Sequence, residues 1–157
     1  MLINALGMAA TLPMRRGWRY LQISLGGLTT GTGHSISEIM YFAGSTPLIP
    51  TPLTGNSSPS PFVASASSTG FGQPYNCFDG SGTAGWGSAD VSGDPNPWVR
   101  LDFGAGASIG VNGLSLTNAT ATSAFAVYGS QDATNWRQLF TASGFSWTAG
   151  ETKTFSW

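Results

Sequence analysis

At 157 residues, with six basic and seven acidic side chains and a formal net charge of −1, the chain amounts to one domain, and it has no basic stripe for a nucleic-acid backbone and no polybasic patch for an anionic lipid surface. Only 8% of its residues are charged, against about 25% in an average domain, while 22 Gly, 9 Pro and 12% aromatic residues favour short strands joined by turns over long helices. The single cysteine, Cys77, excludes an internal disulfide, and its neighbours Tyr75 and Phe78 mark it as a small core residue.

The opening stretch is mildly apolar, yet Arg15 and Arg16 follow it instead of preceding it, the wrong order for a secretory signal, and it is too short and interrupted to cross a bilayer. Two helical turns are expected at residues 4–11 before Pro13, within an N-terminal arm (residues 1–17) suited to docking on a neighbouring subunit. A first strand at residues 18–25 sets Leu21, Ile23 and Leu25 on one face and Tyr20, Gln22 and Ser24 on the other. A glycine-rich loop (Gly26, Gly27, Gly31, Gly33) follows and carries the one histidine, His34. A second strand at residues 36–42 holds Glu38 in an apolar setting.

Residues 44–61, rich in Pro, Ser and Thr, read as an extended crossing, and residues 62–68 as a short strand. Loops at residues 70–79 and 80–97 hold Phe71, Tyr75, Trp86, Asp90 and Asp94. The clearest strand in the chain comes next, from Trp98 to Gly104. Val99, Leu101 and Phe103 alternate with Trp98, Arg100 and Asp102, and Pro97 and Gly104 bound the run. The apolar phase then slips between Ile109/Val111 and Leu114/Leu116, which predicts a bulge at Asn112-Gly113 that keeps all four inward. Strands at 125–129, 136–141 and 153–157 bring the total to about eight, the pattern of an antiparallel sandwich or barrel.

Four motifs occur in a fixed order: Ala64-Ser65-Ala66-Ser67-Ser68; Phe78-Asp79-Gly80 with Trp86 seven positions after the Asp; Trp98-Val99-Arg100-Leu101-Asp102-Phe103-Gly104; and Phe125-Ala126-Val127-Tyr128-Gly129-Ser130-Gln131-Asp132 followed by Asn135-Trp136. Together they resemble the discoidin, or coagulation-factor type C, family. The resemblance implies an all-β fold, an antiparallel jelly-roll sandwich of the galactose-binding-like kind, over residues 18–157. Arg19-Tyr20-Leu21-Gln22-Ile23 and Ser37-Glu38-Ile39 look like the segment that usually closes free-standing modules of the family. Here they come first, an arrangement similar to phage virion proteins that carry this fold.

The same resemblance implies the site. Family members bind ligands with the loops at one end of the sandwich, by an aromatic face and a few polar groups. The candidates are Phe71, Tyr75, Asp90, Asp94 and Trp147, with His34 in a loop that reaches the same end; a lone loop histidine is otherwise a solvated one. Many members hold calcium with an Asp, an oxygen two positions on, a Thr five positions on and the Glu of the Glu-Ile strand. Those positions fall on Asp79, Ser81, Ala84 and Glu38. Ala84 offers no oxygen, so no cofactor is expected, with Asp79 and Glu38 as metal ligands in the alternative case.

No catalytic residue is expected. Asp90 and Asp94 would have to serve as paired carboxylates in a loop with no supporting His, Tyr or Arg cluster, and His34 has no accompanying Gly-x-Ser-x-Gly elbow. Asn56-Ser57-Ser58 and Asn118-Ala119-Thr120 fit the glycosylation pattern, which carries no meaning without a secretion signal. The expected role is a phage virion component of the tail, baseplate or fibre that attaches to a host-surface glycan. A purely structural or decoration protein is the alternative. The expected partners are other virion subunits, in a homo-oligomer or multi-copy assembly, and a cell-surface glycan, without nucleic acid and without membrane insertion.

Overall fold

A computed structural model describes residues 17–26, 31–117 and 122–157. The helix expected at residues 4–11, the N-terminal arm up to residue 16, Gly27 and the Asn118-Ala119-Thr120 sequence lie outside the described residues. The described residues form eleven strands: β1 (Tyr20–Gly26), β2 (Ser35–Ile36), β3 (Glu38–Ala43), β4 (Thr46–Pro47), β5 (Val63–Ala66), β6 (Trp86–Gly87), β7 (Trp98–Asp102), β8 (Gly113–Thr117), β9 (Ala124–Ser130), β10 (Arg137–Ser143) and β11 (Thr152–Ser156). Three of them (β2, β4, β6) are two-residue ladders, which leaves eight longer strands.

A five-stranded sheet runs β10-β9-β1-β7-β5 and a four-stranded sheet β11-β8-β3-β4, every pairing antiparallel. Alternation decides which side chains meet between them. Leu21, Ile23 and Leu25 of β1, Val99 and Leu101 of β7 and Val127 of β9 turn inward onto Ile39 and Tyr41 of β3 and Leu114 and Leu116 of β8, all buried. Phe155 of β11 meets Phe125 of β9 across the sandwich, ring centroids 4.9 Å apart. This two-layer arrangement is the antiparallel β-sandwich that the alternation implied.

β1 occupies the centre of the larger sheet, between β9 and β7. The strand that comes first in sequence is therefore part of the core.

Three expectations change. No bulge forms at Asn112-Gly113; β8 pairs with β3 in continuous register. The apolar phase slips because the chain changes sheets there: Ile109 bridges to Trp18, which leads into β1, whereas Asn112 N already bonds Phe42 O on β3. The register shift that does occur lies in β10, between Gln138 and Phe140. The loop at residues 70–79 contains a 3-10 helix (Pro74–Phe78), and the loop at 80–97 contains β6. Both short elements are fixed by their partners, β6 by its ladder with β2 and the helix by its packing against β3 and β5.

Candidate functional site

β1 and β5 end, and β7 and β9 begin, at the same end of the sandwich, so the loops that follow or precede them gather there. The stretches around Gly33, Phe71 and Gly87 come together through backbone bonds. Gly87 N donates to Phe71 O (3.1 Å), Gly70 N to Gly87 O (2.8 Å) and Ser88 N to His34 O (2.9 Å). Such close backbone approach needs glycine. A Cβ on Gly87 would stand 2.0 Å from the Phe71 ring, and one on Gly72, which has φ +63°, would stand 1.9 Å from Gly85 O.

The result is a cleft of about 390 Å³ walled by Thr32, Gly33 and Ser35 on one side, Gly70 and Phe71 on another, and Ser88, Ala89 and Asp90 on the third. Phe71 lies against Gly87 and is still 57% exposed, the most exposed large apolar side chain among the described residues. Asp90 Oδ1 accepts from Ser92 Oγ (2.7 Å) and Gly93 N (2.8 Å), and these bonds, the Ser92 hydroxyl foremost, hold the carboxyl below its usual range. It therefore stays ionised, with the Ser92 backbone N–H adding to the same hold. An aromatic face, a carboxylate and hydroxyls around a glycine-lined hollow can stack a sugar ring and bind its hydroxyls.

Of the six residues expected to bind ligand, the structure brings Phe71 and Asp90 together in this cleft. Asp94 stands behind it: Oδ2 accepts from Ser67 Oγ (2.5 Å) and Ser68 Oγ (2.6 Å), and Asp94 N donates to Asp90 O (2.9 Å). His34, expected to be solvated if not a ligand group, is instead only 2% exposed. Its Nδ1 lies 2.8 Å from Thr122 Oγ1 and its backbone N donates to Ser88 Oγ, so it ties the cleft loops together from below. Burial holds the imidazole below its ordinary pKa, against a smaller opposing pull from Asp94. Trp147 donates from Nε1 to Thr122 O (2.8 Å) and stacks under Lys153, which extends the same support outward. Tyr75 lies in the 3-10 helix against the core, its backbone N bonded to Asn56 Oδ1, and does not line the cleft.

The His34–Thr122 contact has the geometry of a base beside a hydroxyl, and both residues are 2% exposed. Asp94 Oδ2 is engaged by two serine hydroxyls behind the cleft.

Asp79 and Glu38 approach the turn at residues 80–84. Asp79 Oδ1 accepts from Ser81 N (2.8 Å) and Oδ2 from Asn76 Nδ2 (3.1 Å), Glu38 Oε2 from Gly82 N (3.4 Å), and Ser81 Oγ from Ala84 N (3.2 Å). Calcium takes six to eight oxygens, and here the Asp79, Glu38 and Ser81 side chains already accept bonds from this turn and its approach. No cluster of three or more His, Cys, Asp or Glu is found among the described residues. Burial pushes the Glu38 carboxyl up to about 7, against the Gly82 N–H bond, and the Asp79 charge adds to the rise.

Ser88, Ala89, Gly70 and Thr32 escaped the sequence reading. The signal that marks them is the run of glycines at 70, 72, 85 and 87, whose spacing announces backbones in contact.

No curated protein and no solved structure matches the chain. The profile of the F5/8 type C domain family matches residues 61–156, from the start of β5 to the end of β11 and including both the cleft walls at 70–71 and 88–90. Because that match spans well over half of the chain and falls on the strands and loops that build this sandwich, the chain belongs to the F5/8 type C domain family.

Proposed function

We propose that the protein is a non-catalytic glycan-binding module whose loop-end cleft takes one sugar ring on Phe71, with ring hydroxyls bonded to the ionised Asp90 and to Thr32. The observation that carries this reading is the exposed Phe71 ring set beside the ionised Asp90 carboxylate, in a hollow that glycines keep open. Domains of this family are ligand-binding modules, which favours binding over catalysis. The turn around Asp79 and Glu38 closes by its own hydrogen bonds and works without calcium in this reading.

The finer role is a phage virion component that presents this end to a host-surface glycan, with residues 1–17 docking on neighbouring subunits. What supports it is that the Arg19–Ile23 strand precedes the rest of the domain, an order similar to that of phage virion proteins with this fold. A structural protein that binds only other virion subunits is the competing role, since the same loops could be covered in a particle.

A glycan array run with wild type, Phe71→Ala and Asp90→Asn decides between them. Wild type should bind a defined set of sugars, with Phe71→Ala weakening it by about tenfold or more and a chelator leaving the pattern unchanged. Loss of binding in chelator would show that the turn holds a metal. Absence of wild-type binding, together with stoichiometric incorporation into particles, would leave the structural role.

A further inference from the structure

The outer face of the five-stranded sheet carries a second constellation, none of whose side chains lines the cleft. The Arg100 guanidinium lies between two indoles, 4.3 Å from the Trp98 ring centroid and 4.5 Å from that of Trp136. Trp136 is set by a rigid turn in which Asp132 accepts from Thr134 N (2.9 Å) and Asn135 N (2.7 Å), and it meets Tyr20 edge-on at 6.4 Å.

Among the described residues Arg100 has no counter-ion. Its Nε and Nη2 both donate to one neutral acceptor, Gln22 Oε1 (3.1 and 2.9 Å). The only ion pairs among the described residues are Arg19–Asp102 and Lys153–Glu151. Asp102, two residues along the same face, is saturated by Arg19 Nε and Nη2 and by Gly104 N, each at 2.8 Å. A guanidinium has five N–H donors, so three are left for a ligand, on a cation half-desolvated between ring faces. A neutral side chain would fill that slot without the cost of removing a charge from water. Planar, fixed guanidinium donors match a carboxylate.

The neighbouring groups are neutral and hydrogen-bonding. Strand register places Gln138, Tyr128, Gln22, Arg100 and Ser65 in one row across all five strands. At the ~4.8 Å strand spacing that row is about 19 Å long. A line of amides and hydroxyls with one unpaired cation, flanked by indoles, suits an extended chain of hydroxylated rings that bears carboxylates.

We propose that this face is a binding site for an acidic oligosaccharide, a uronate-type chain, laid along the Gln138-to-Ser65 row with one carboxylate anchored by Arg100. The site does not depend on the loop-end cleft.

The test is calorimetric titration of the folded protein with hexagalacturonate, its methyl-esterified counterpart and hexaglutamate. Wild type should bind the uronate at least about tenfold more tightly than either of the others. Arg100→Gln should abolish this binding, Arg100→Lys should weaken it several-fold because an ammonium cannot lie flat between the indoles, and Phe71→Ala should leave it unchanged. If Arg100→Gln does not fold, as judged by thermal melting, the Arg100→Lys and ester arms carry the decision. No uronate binding by wild type, equal binding of the ester, equal binding of hexaglutamate, or loss in Phe71→Ala overturns the proposal; the last would place acidic sugars in the cleft instead.

Discussion

The loop-end cleft and the outer face of the five-stranded sheet are built in opposite ways. In the cleft, glycines bring three stretches of backbone into contact, and the space left open is the binding feature. On the sheet face the backbone is regular, and the feature is what side chains place on top of it. A cleft made of backbone is rigid but fails as a whole when any contact is spoiled. A face made of side chains can lose its function while the fold survives.

Trp86→Ala should produce the largest effect. Trp86 is fully buried in β6, and its Nε1 donates to Ser68 O (2.9 Å), so it links the cleft loops to the core. A loss of about 3–5 kcal/mol is expected in urea denaturation, with glycan binding at the cleft lost too. A loss under about 1 kcal/mol would mean that the cleft is not anchored through this residue.

On the sheet face, Trp136→Ala removes one side of the Arg100 sandwich and the edge contact with Tyr20, and should cost about 1 kcal/mol in the same assay. Binding at the cleft should be intact. A loss near that of Trp86→Ala would erase the distinction between the two regions.

The smallest effect is the response to pH. His34 is buried with its pKa below the ordinary 6.5, whereas the unfolded chain takes up a proton near that value. Its contribution is therefore complete above about pH 6.5 and is lost as pH falls below it. The sheet face does not titrate in that window: Arg100 stays charged, and Asp102, although burial works against it, is held below its usual value by Arg19 and Gly104 N. Glu38, whose carboxyl is pushed up to about 7 by burial, adds stability in both proteins as pH falls through that value, so between pH 7.5 and 5.5 the melting temperature of wild type should drop relative to that of His34→Gln. Equal slopes for the two proteins would exclude His34 as the acid-sensitive group beneath the cleft.

The strands that bury one full face were legible in the sequence because burial imposes a period of two. β1 and β7 display it openly, with Leu21, Ile23 and Leu25 in one and Val99 and Leu101 in the other. β2, β4 and β6 carry two residues each, too few for any period, and exist only because a partner backbone lies beside them. Phe71 and Asp90 could be picked out as an aromatic and a carboxylate in loops, and they share the cleft. His34 looked like a loop residue by its glycine neighbours, yet a chain segment 88 positions away supplies the Thr122 hydroxyl beneath it.

By itself, then, the sequence determined the sandwich, its family and the inward faces of its main strands, since these follow from alternation and from motifs that are local in the chain. Tertiary structure alone decided which loop residues form a cleft, that His34 is buried, and that Trp136 closes over Arg100. Those are contacts between segments far apart in the chain, and no local pattern encodes a distance across a folded sheet.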